Sequence, residues 1–202
     1  MNGRPVRKDR QERRERREER RTNLVLVCFA FLALPAIVAY ELDRNKPMNP
    51  INLDPRITLL LEILDHAFDK ASWHGPNLAN SFRGLEARAA AKSLPGRKSI
   101  WEQVLHAAYW KRIVLNKLTQ TERFPRRGSN WPRVPDEISD RAWKEDVALL
   151  HEIHVNLRAA VKAMDARRLD EPKLRRMVHG AAFHDIYHAG QIRLLRKLLA
   201  AR

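Results

Sequence analysis

The chain of 202 residues carries a formal net charge of +15 at pH 7 and contains one cysteine, Cys28. A single cysteine cannot form an intrachain disulfide, a Cys-X-X-Cys redox pair or a cysteine-based metal site. Seven glycines and a hydrophobic content of 44% favour one compact, mainly helical domain over a strand-rich fold or two full domains.

Residues 1–21 form a separate segment of low complexity. They contain ten Lys and Arg against five Asp and Glu, so five of the fifteen excess positive charges lie in a tenth of the chain. The segment has no apolar face, which predicts a basic, disordered tail. No basic stripe interleaved with aromatic residues occurs outside it, so nucleic acid is a disfavoured partner.

The composition changes abruptly at residue 22. Residues 22–40, TNLVLVCFAFLALPAIVAY, contain no charged side chain across nineteen positions, close to the length that a helix needs to cross a bilayer. A basic flank before the segment and a nearly neutral flank after it predict a transmembrane anchor with its N-terminus in the cytoplasm. Residues 41–54, which include two prolines, would then be a linker.

Two alternatives to a membrane anchor stay open. A cleaved signal peptide is the weaker one, because IVAYELD offers only a poor small-residue cleavage site. The other is translation from Met48. We therefore expect a membrane protein if the first 47 residues are genuine, and a cytoplasmic protein if translation starts at Met48.

Residues 55–202 are predicted to form an all-α domain, a four-helix bundle. The first helix begins with Asp54 as N-cap and Pro55 in its first turn, and its apolar stripe continues to Ala71. GPN at 75–77 marks a break. Ser99 is placed to cap the second helix, which reaches Thr119.

A long loop separates the second helix from the third. Its core, FPRRGSNWPRVPD, contains three prolines and a glycine in thirteen residues. The whole connection, 119–138, allows the helices on either side to run in other than up-down order. The third helix is predicted from about Ser139 through Met164 and the fourth from near Pro172 to the end, each with one apolar stripe.

Near the C-terminus, HDIYHAG places His184 and His188 four residues apart. On a helix this spacing projects both imidazoles from one face, about 6 Å apart, so they can share one metal ion. The same face continues through Met177 and Ala181 before the pair and Leu195 after it, so the pair lies in an apolar stripe. Because buried imidazoles need partners, one shared cation explains them more economically than two separate hydrogen bonds.

A third ligand should come from another helix. His106 is the leading candidate, since it lies mid-helix on the side of Trp110 and Ile113; a core histidine bonded to a carbonyl is the alternative. His151 and His154 form an i, i+3 pair, which predicts a rival site or a substrate-facing pair. The remaining histidines are expected on the first-helix stripe, if that helix extends so far (His74), or at the surface (His66, His179).

Three spaced motifs resemble the DinB/YfiT-like family of four-helix-bundle metalloproteins: SIWEQVLHAAYWKRIVLNKL, FPRRGSNWP and HGAAFHDIYHAGQIRLLRKL. The resemblance spans roughly residues 52–200, and WHGPNL at 73–78 is typical of one branch. It implies a long crossover between the second and third helices. It also implies a divalent metal, zinc or nickel, with His106, His184 and His188 as the ligands.

The resemblance further implies an activity. Characterised relatives are thiol-dependent S-transferases and isomerases that use low-molecular-weight thiols. Three neutral imidazoles leave positions open for a thiol or water, and a cation that keeps its full charge lowers the pKa of a thiol bound to it. The expected partners are a low-molecular-weight thiol and a small electrophile. The side chains expected to orient the ligands or the substrate are Trp110, His154, Tyr187 and Gln191.

Two other functions stay open. One is a metal-dependent hydrolase, and the other is a non-catalytic, membrane-tethered metal-binding module, which a saturated coordination shell would favour. Low-molecular-weight thiols belong to the cytoplasm, so a genuine anchor would carry the domain away from them. A homodimer is compatible with the resemblance, although no feature of the sequence indicates one.

Overall fold

The computed structural model describes residues 53–120 and 123–201. Within these ranges the protein is all-helical, with no strand. The predicted tail (1–21), the predicted transmembrane segment (22–40) and nearly all of the predicted linker (41–54) lie outside the described residues. Among the helices that are described, none combines the length and the apolar character that crossing a membrane requires.

Four long helices and two short ones make up the described domain. The long helices are α1 (Pro55–Phe68), α4 (Ile100–Thr119), α5 (Asp140–Ala163) and α6 (Pro172–Ala200); the short ones are α2 (Leu78–Phe82) and α3 (Ala87–Ala91). A 3-10 helix, Ala166–Asp170, joins α5 to α6. The four long helices are those predicted from the sequence.

Side-chain caps fix where the long helices begin. The Asp54 carboxylate accepts a hydrogen bond from the Arg56 amide (2.8 Å), with Pro55 in the first turn. At α4, Ser99 and Glu102 form a capping box: Ser99 Oγ accepts from the Glu102 amide, and the Glu102 carboxylate accepts from the Ser99 amide. At α5, Ser139 Oγ accepts a hydrogen bond from the Ala142 amide (3.3 Å).

Helix α1 ends at Phe68, three residues before the predicted end of its stripe at Ala71. The physical reason is Asn77, whose Nδ2 donates to the Lys70 carbonyl (2.7 Å) while its Oδ1 accepts from the Asn80 amide (3.0 Å). One buried amide side chain thus ties the end of α1 to the start of α2. The sequence patterns did not indicate α2 or α3, each of which is only five residues long.

The order of the helices around the bundle is α1, α6, α4, α5. Two contacts show that helices α4 and α5 run parallel. Trp101 on α4 contacts Asp146 on α5, and Lys111, further along α4, contacts His154, further along α5. A parallel pair requires a connection that returns along the bundle, and the segment between Thr119 and Asp140 is that crossover. The long connection expected from the sequence is therefore confirmed.

The apolar core consists of two clusters. The first includes Trp101 and Trp143, and the second includes Leu115 and Leu157. Each contains residues of all four long helices. Between them, the bundle interior is polar.

Three buried side chains form this polar layer: Lys111 on α4, His154 on α5 and Asp185 on α6. His106 on α4 and His184 and His188 on α6 lie within about one and a half helical turns of this layer along their own helices. The polar layer therefore lies between two apolar clusters, whose close packing holds the four long helices in place on either side of it.

Candidate metal centre

Three imidazoles from two antiparallel helices converge at one point of the bundle. His106 Nε2 lies 3.0 Å from His184 Nε2, and His184 Nε2 lies 3.2 Å from His188 Nε2. Ligand atoms of all three lie within 4.8 Å of one another. Within the described part of the chain, no fourth His, Cys, Asp or Glu belongs to the group.

The outward-facing nitrogens of two imidazoles are held by acceptors. His106 Nδ1 donates to the Asn130 carbonyl (2.5 Å), so its Nε2 carries the lone pair. His188 Nδ1 donates to Gln103 Oε1 (3.2 Å). The Gln103 amide is oriented in turn, because its Nε2 donates to the Lys98 carbonyl (3.4 Å). Both imidazoles therefore present a bare nitrogen to the cluster.

Hydrogen bonds cannot satisfy the convergence of the three Nε2 atoms. With the protons of His106 and His188 on Nδ1, only His184 has a proton to offer, and one proton serves one neighbour. At least one of the two contacts therefore has no hydrogen bond, unless a cation lies between the rings. Nitrogens that share a tetrahedral zinc ion at about 2.0–2.1 Å lie about 3.3 Å apart, close to the spacings observed. The residues fit a divalent metal.

The surroundings keep the three imidazoles neutral. Burial lowers the pKa of His184 to about 4, reinforced by His106 and Lys111, and lowers the pKa of His188 to about 3, reinforced by His184 and His106. Burial also lowers the pKa of His106, against the opposing effect of its bond to Asn130. At neutral pH all three nitrogen lone pairs are available to a cation.

The crossover loop covers one side of the centre. The indole of Trp131 stacks on the His106 imidazole, with ring centroids 3.8 Å apart and an angle of 11° between the planes. Asn130 accepts twice, through its carbonyl from His106 and through Oδ1 from Trp110 Nε1 (2.8 Å). The loop thereby fixes the plane of the His106 ring, in the manner of groups that orient metal ligands.

Three of the four side chains expected around the ligands lie beside the centre. Trp110 is 40% exposed, with its ring centroid 6.5 Å from that of His184. Tyr187 is 61% exposed, with its centroid 5.1 Å from that of His188. The Gln191 side chain interacts with His188 and raises its pKa against the larger, opposing effect of burial.

His154 is placed differently. It is buried, its Nδ1 lies 3.2 Å from Lys111 Nζ, and its ring stacks on Phe68 at 3.8 Å. His151 also contacts Phe68, edge to face, with ring centroids 4.9 Å apart. The structure brings this pair together around an aromatic ring and a buried ammonium group, and neither histidine belongs to the three-imidazole group.

The other histidines lie outside the centre. His74 is exposed and follows the end of α1, so the helix does not extend far enough to place His74 on its apolar stripe. His66 is exposed, as expected, with Nδ1 at 2.5 Å from the Ala71 carbonyl. His179, expected at the surface, is half-buried: its ring lies 5.3 Å from that of Phe183, and its Nδ1 is buried without a hydrogen-bond partner.

Sequence reasoning assigned no role to Gln103, Asn130 or Trp131. Gln103 lies three residues before His106, so helical spacing was a signal that could have found it. Asn130 and Trp131 belong to the quoted motif FPRRGSNWP, but a loop pattern gives no direction for its side chains. Their positions depend on the crossover, which only the fold shows.

Comparison with known proteins tests the resemblance independently of this geometry. Searches of curated proteins and of solved structures found no match. The family model of the DinB superfamily matches residues 71–192, which include all three converging histidines and the crossover loop. The matched region is more than half of the chain, and the protein therefore belongs to the DinB superfamily.

Proposed function

We propose that this protein binds a divalent metal ion at His106, His184 and His188 and activates a low-molecular-weight thiol there for transfer to a small electrophile. The observation that carries the proposal is the convergence of three imidazole Nε2 atoms, with contacts of 3.0 and 3.2 Å and too few protons for a hydrogen bond in each. Membership of the DinB superfamily supports a divalent metal in general.

The donor set suits catalysis better than a purely structural role. Structural zinc sites are closed by four protein ligands, whereas catalytic sites offer three and keep a position open. The group found in the described residues offers three. When bound, a divalent cation with neutral ligands would lower the pKa of a coordinating thiol or water enough to supply a nucleophile at neutral pH.

The chain's own groups would orient the ligands and limit the access of water. Asn130 and Gln103 hold the outer nitrogens of His106 and His188, so both Nε2 atoms stay unprotonated. Trp131 covers one face of His106, while the exposed Trp110 and Tyr187 flank the side on which His184 is half-buried. A substrate would approach the centre from that side.

A thiol is preferred over water as the nucleophile because of the family. The described residues contain no cysteine, so the thiol would come from a small molecule. The same centre would also serve a metal-dependent hydrolase. A non-catalytic module is less well supported, since it would require a fourth ligand that the described residues do not add to the group.

The test compares the full-length wild type with His106→Gln, using His66→Gln as a control at an exposed histidine outside the centre. After reconstitution with zinc, elemental analysis should give about one metal ion per chain for the wild type and the control, and none tightly held by His106→Gln. Metal-dependent transfer of glutathione, bacillithiol or mycothiol to chlorodinitrobenzene should follow the metal content.

Three outcomes would contradict the proposal at different levels. Stoichiometric zinc in His106→Gln would remove His106 from the ligand set. A zinc-loaded wild type that transfers none of these thiols, but hydrolyses ester or amide substrates, would replace the transferase with a hydrolase. Neither activity in a zinc-loaded protein would favour the non-catalytic module.

A further inference from the structure

A cavity of about 190 Å³ lies beside the three-histidine centre. Three of its lining residues also contact the proposed ligands: Gln103 bonds to His188, Gln191 interacts with His188, and Trp131 stacks on His106. The cavity and the centre therefore share walls. A molecule held in the cavity would contact the side chains that touch the proposed ligands.

One side of the cavity is apolar and open to solvent. Leu194 and Leu198, one turn apart on α6, are 54% and 46% exposed, and the indole of Trp131 lies at the same cavity. Large apolar side chains left exposed in a concave site favour a ligand that covers them, because burying apolar surface is the main source of affinity there. This side predicts a ligand with a hydrocarbon portion.

The loop before α4 contributes positive charge at the same cavity. The Lys98 ammonium group is paired with the Glu102 carboxylate at 2.7 Å, so its charge is compensated. The Arg97 guanidinium is exposed and forms no ion pair or side-chain hydrogen bond within the described residues. Arg97 is therefore the uncompensated cation of the cavity, and its planar donors match a carboxylate.

We infer that this cavity binds a small organic acid, with its hydrocarbon portion against Leu194, Leu198 and Trp131 and its carboxylate at Arg97. The cavity is smaller than the about 300–1,000 Å³ of sites for drug-sized ligands, which suits a compact acid. The inference rests on the proposed function and adds the substrate class to it. The carboxylate belongs either to the thiol or to the electrophile, and Arg97 would bind it in the same way in both cases.

The test measures binding of phenylbutyrate and of its uncharged amide, phenylbutyramide, to the full-length, zinc-loaded protein by calorimetry at low ionic strength. The acid should bind about threefold to fivefold more tightly than the amide, the range of an exposed ion pair. Arg97→Gln should abolish this preference without changing the affinity for the amide. Arg88→Gln, at an exposed arginine on α3 outside the cavity, should retain it.

The hydrocarbon side has its own variant. Leu198→Ser should weaken binding of the acid and the amide by the same factor, because it removes apolar contact and leaves the charge. Equal affinities of the wild type for the two probes would overturn the inference, and so would an undiminished preference for the acid in Arg97→Gln.

Competition with thiols distinguishes the two sources of the carboxylate. If it belongs to the thiol, mercaptohexanoate should displace phenylbutyrate more strongly than mercaptohexanol does. If it belongs to the electrophile, phenylbutyrate and mercaptohexanol should bind together. Zinc content is measured on every sample: a protein that holds no zinc contradicts the proposed function, whereas a zinc-loaded protein that does not prefer the acid contradicts this inference alone.

Discussion

The Lys111 ammonium group lies 2.5 Å from Asp185 Oδ2 in the middle of the bundle, where the two side chains are 1% and 0% exposed. Lys111 also lies 3.2 Å from His154 Nδ1 and 5.0 Å from the centre of the Phe68 ring, so one cation of α4 contacts each of the other three long helices. Burial raises the pKa of Asp185 to about 6, against the opposing effect of Lys111.

Removing the cation alone should be costly. In Lys111→Met, the Asp185 carboxyl would remain buried without its partner, and breaking a buried pair on one side costs about 3–5 kcal/mol. We expect a loss of that size in the free energy of unfolding, measured by urea denaturation at neutral pH. The double variant Lys111→Met/Asp185→Leu should recover most of the loss, because it leaves no buried charge. A double variant as unstable as the single one would show that the pair is not the cause.

The stability of the metal-free protein should fall in acid because of His154. Burial lowers the pKa of His154 to about 2, reinforced by Lys111, His151 and Arg158, whereas the unfolded chain has the ordinary value of 6.5. Since the folded-state pKa is the lower one, the unfolded state binds more protons below pH 6.5. The contribution of neutral His154 to the free energy of unfolding is therefore complete above pH 6.5 and is lost as the pH falls.

The loss expected from His154 alone is about 2 kcal/mol between pH 6.5 and pH 5, from 1.36 kcal/mol per pH unit. Urea unfolding of the metal-free wild type and of His154→Asn across this range measures it. Asparagine keeps an acceptor for Lys111 but does not titrate, so the variant should show a flatter pH dependence whatever its absolute stability. Equal slopes for the two proteins would mean that His154 is not a source of the acid sensitivity.

Gln103 should tune the affinity for zinc without contributing to the ligand set. Gln103→Leu removes the acceptor for His188 Nδ1–H, and the loss of such an orienting group costs about tenfold to a hundredfold in metal affinity. Gln103→Glu keeps an acceptor and adds a negative charge near the cation, so it should bind zinc at least as tightly as the wild type. Competition with a chromogenic chelator measures both. Unchanged affinity in Gln103→Leu would mean that packing alone orients His188.

Local signals were sufficient to predict the long helices. The Ser99 capping box, the Asp54 and Pro55 start and the apolar stripes depend on residues within a few positions of one another, so the sequence displays them directly. The His184 and His188 pair could be predicted from the sequence for the same reason. The position of His106 on its helix made it the leading candidate, but preferring a ligand to a core histidine required the motifs of the family, since helical periodicity cannot relate residues 78 positions apart.

Contacts made across the bundle could not be predicted. A lysine and an aspartate 74 positions apart resemble surface charges in the sequence, and only the fold shows that Lys111 and Asp185 compensate each other in the core. The role of Trp131 depends on the return path of the crossover loop. The short helices α2 and α3 are stabilised by contacts with the long helices, and five residues carry too little periodicity to indicate a helix.

Metal binding should stabilise the protein, because the three converging Nε2 atoms cannot all be hydrogen-bonded without a cation and the unfolded chain has no preformed site. At free zinc about a hundred times the Kd, the stabilisation is about 2.7 kcal/mol. For a domain of this size, that corresponds to a rise in Tm of about 5–10 °C. Calorimetry of the full-length protein with zinc and after treatment with EDTA measures it. His184→Gln should lose the shift and His66→Gln should keep it; a zinc-dependent rise in His184→Gln equal to that of the wild type would place the stabilising metal elsewhere in the protein.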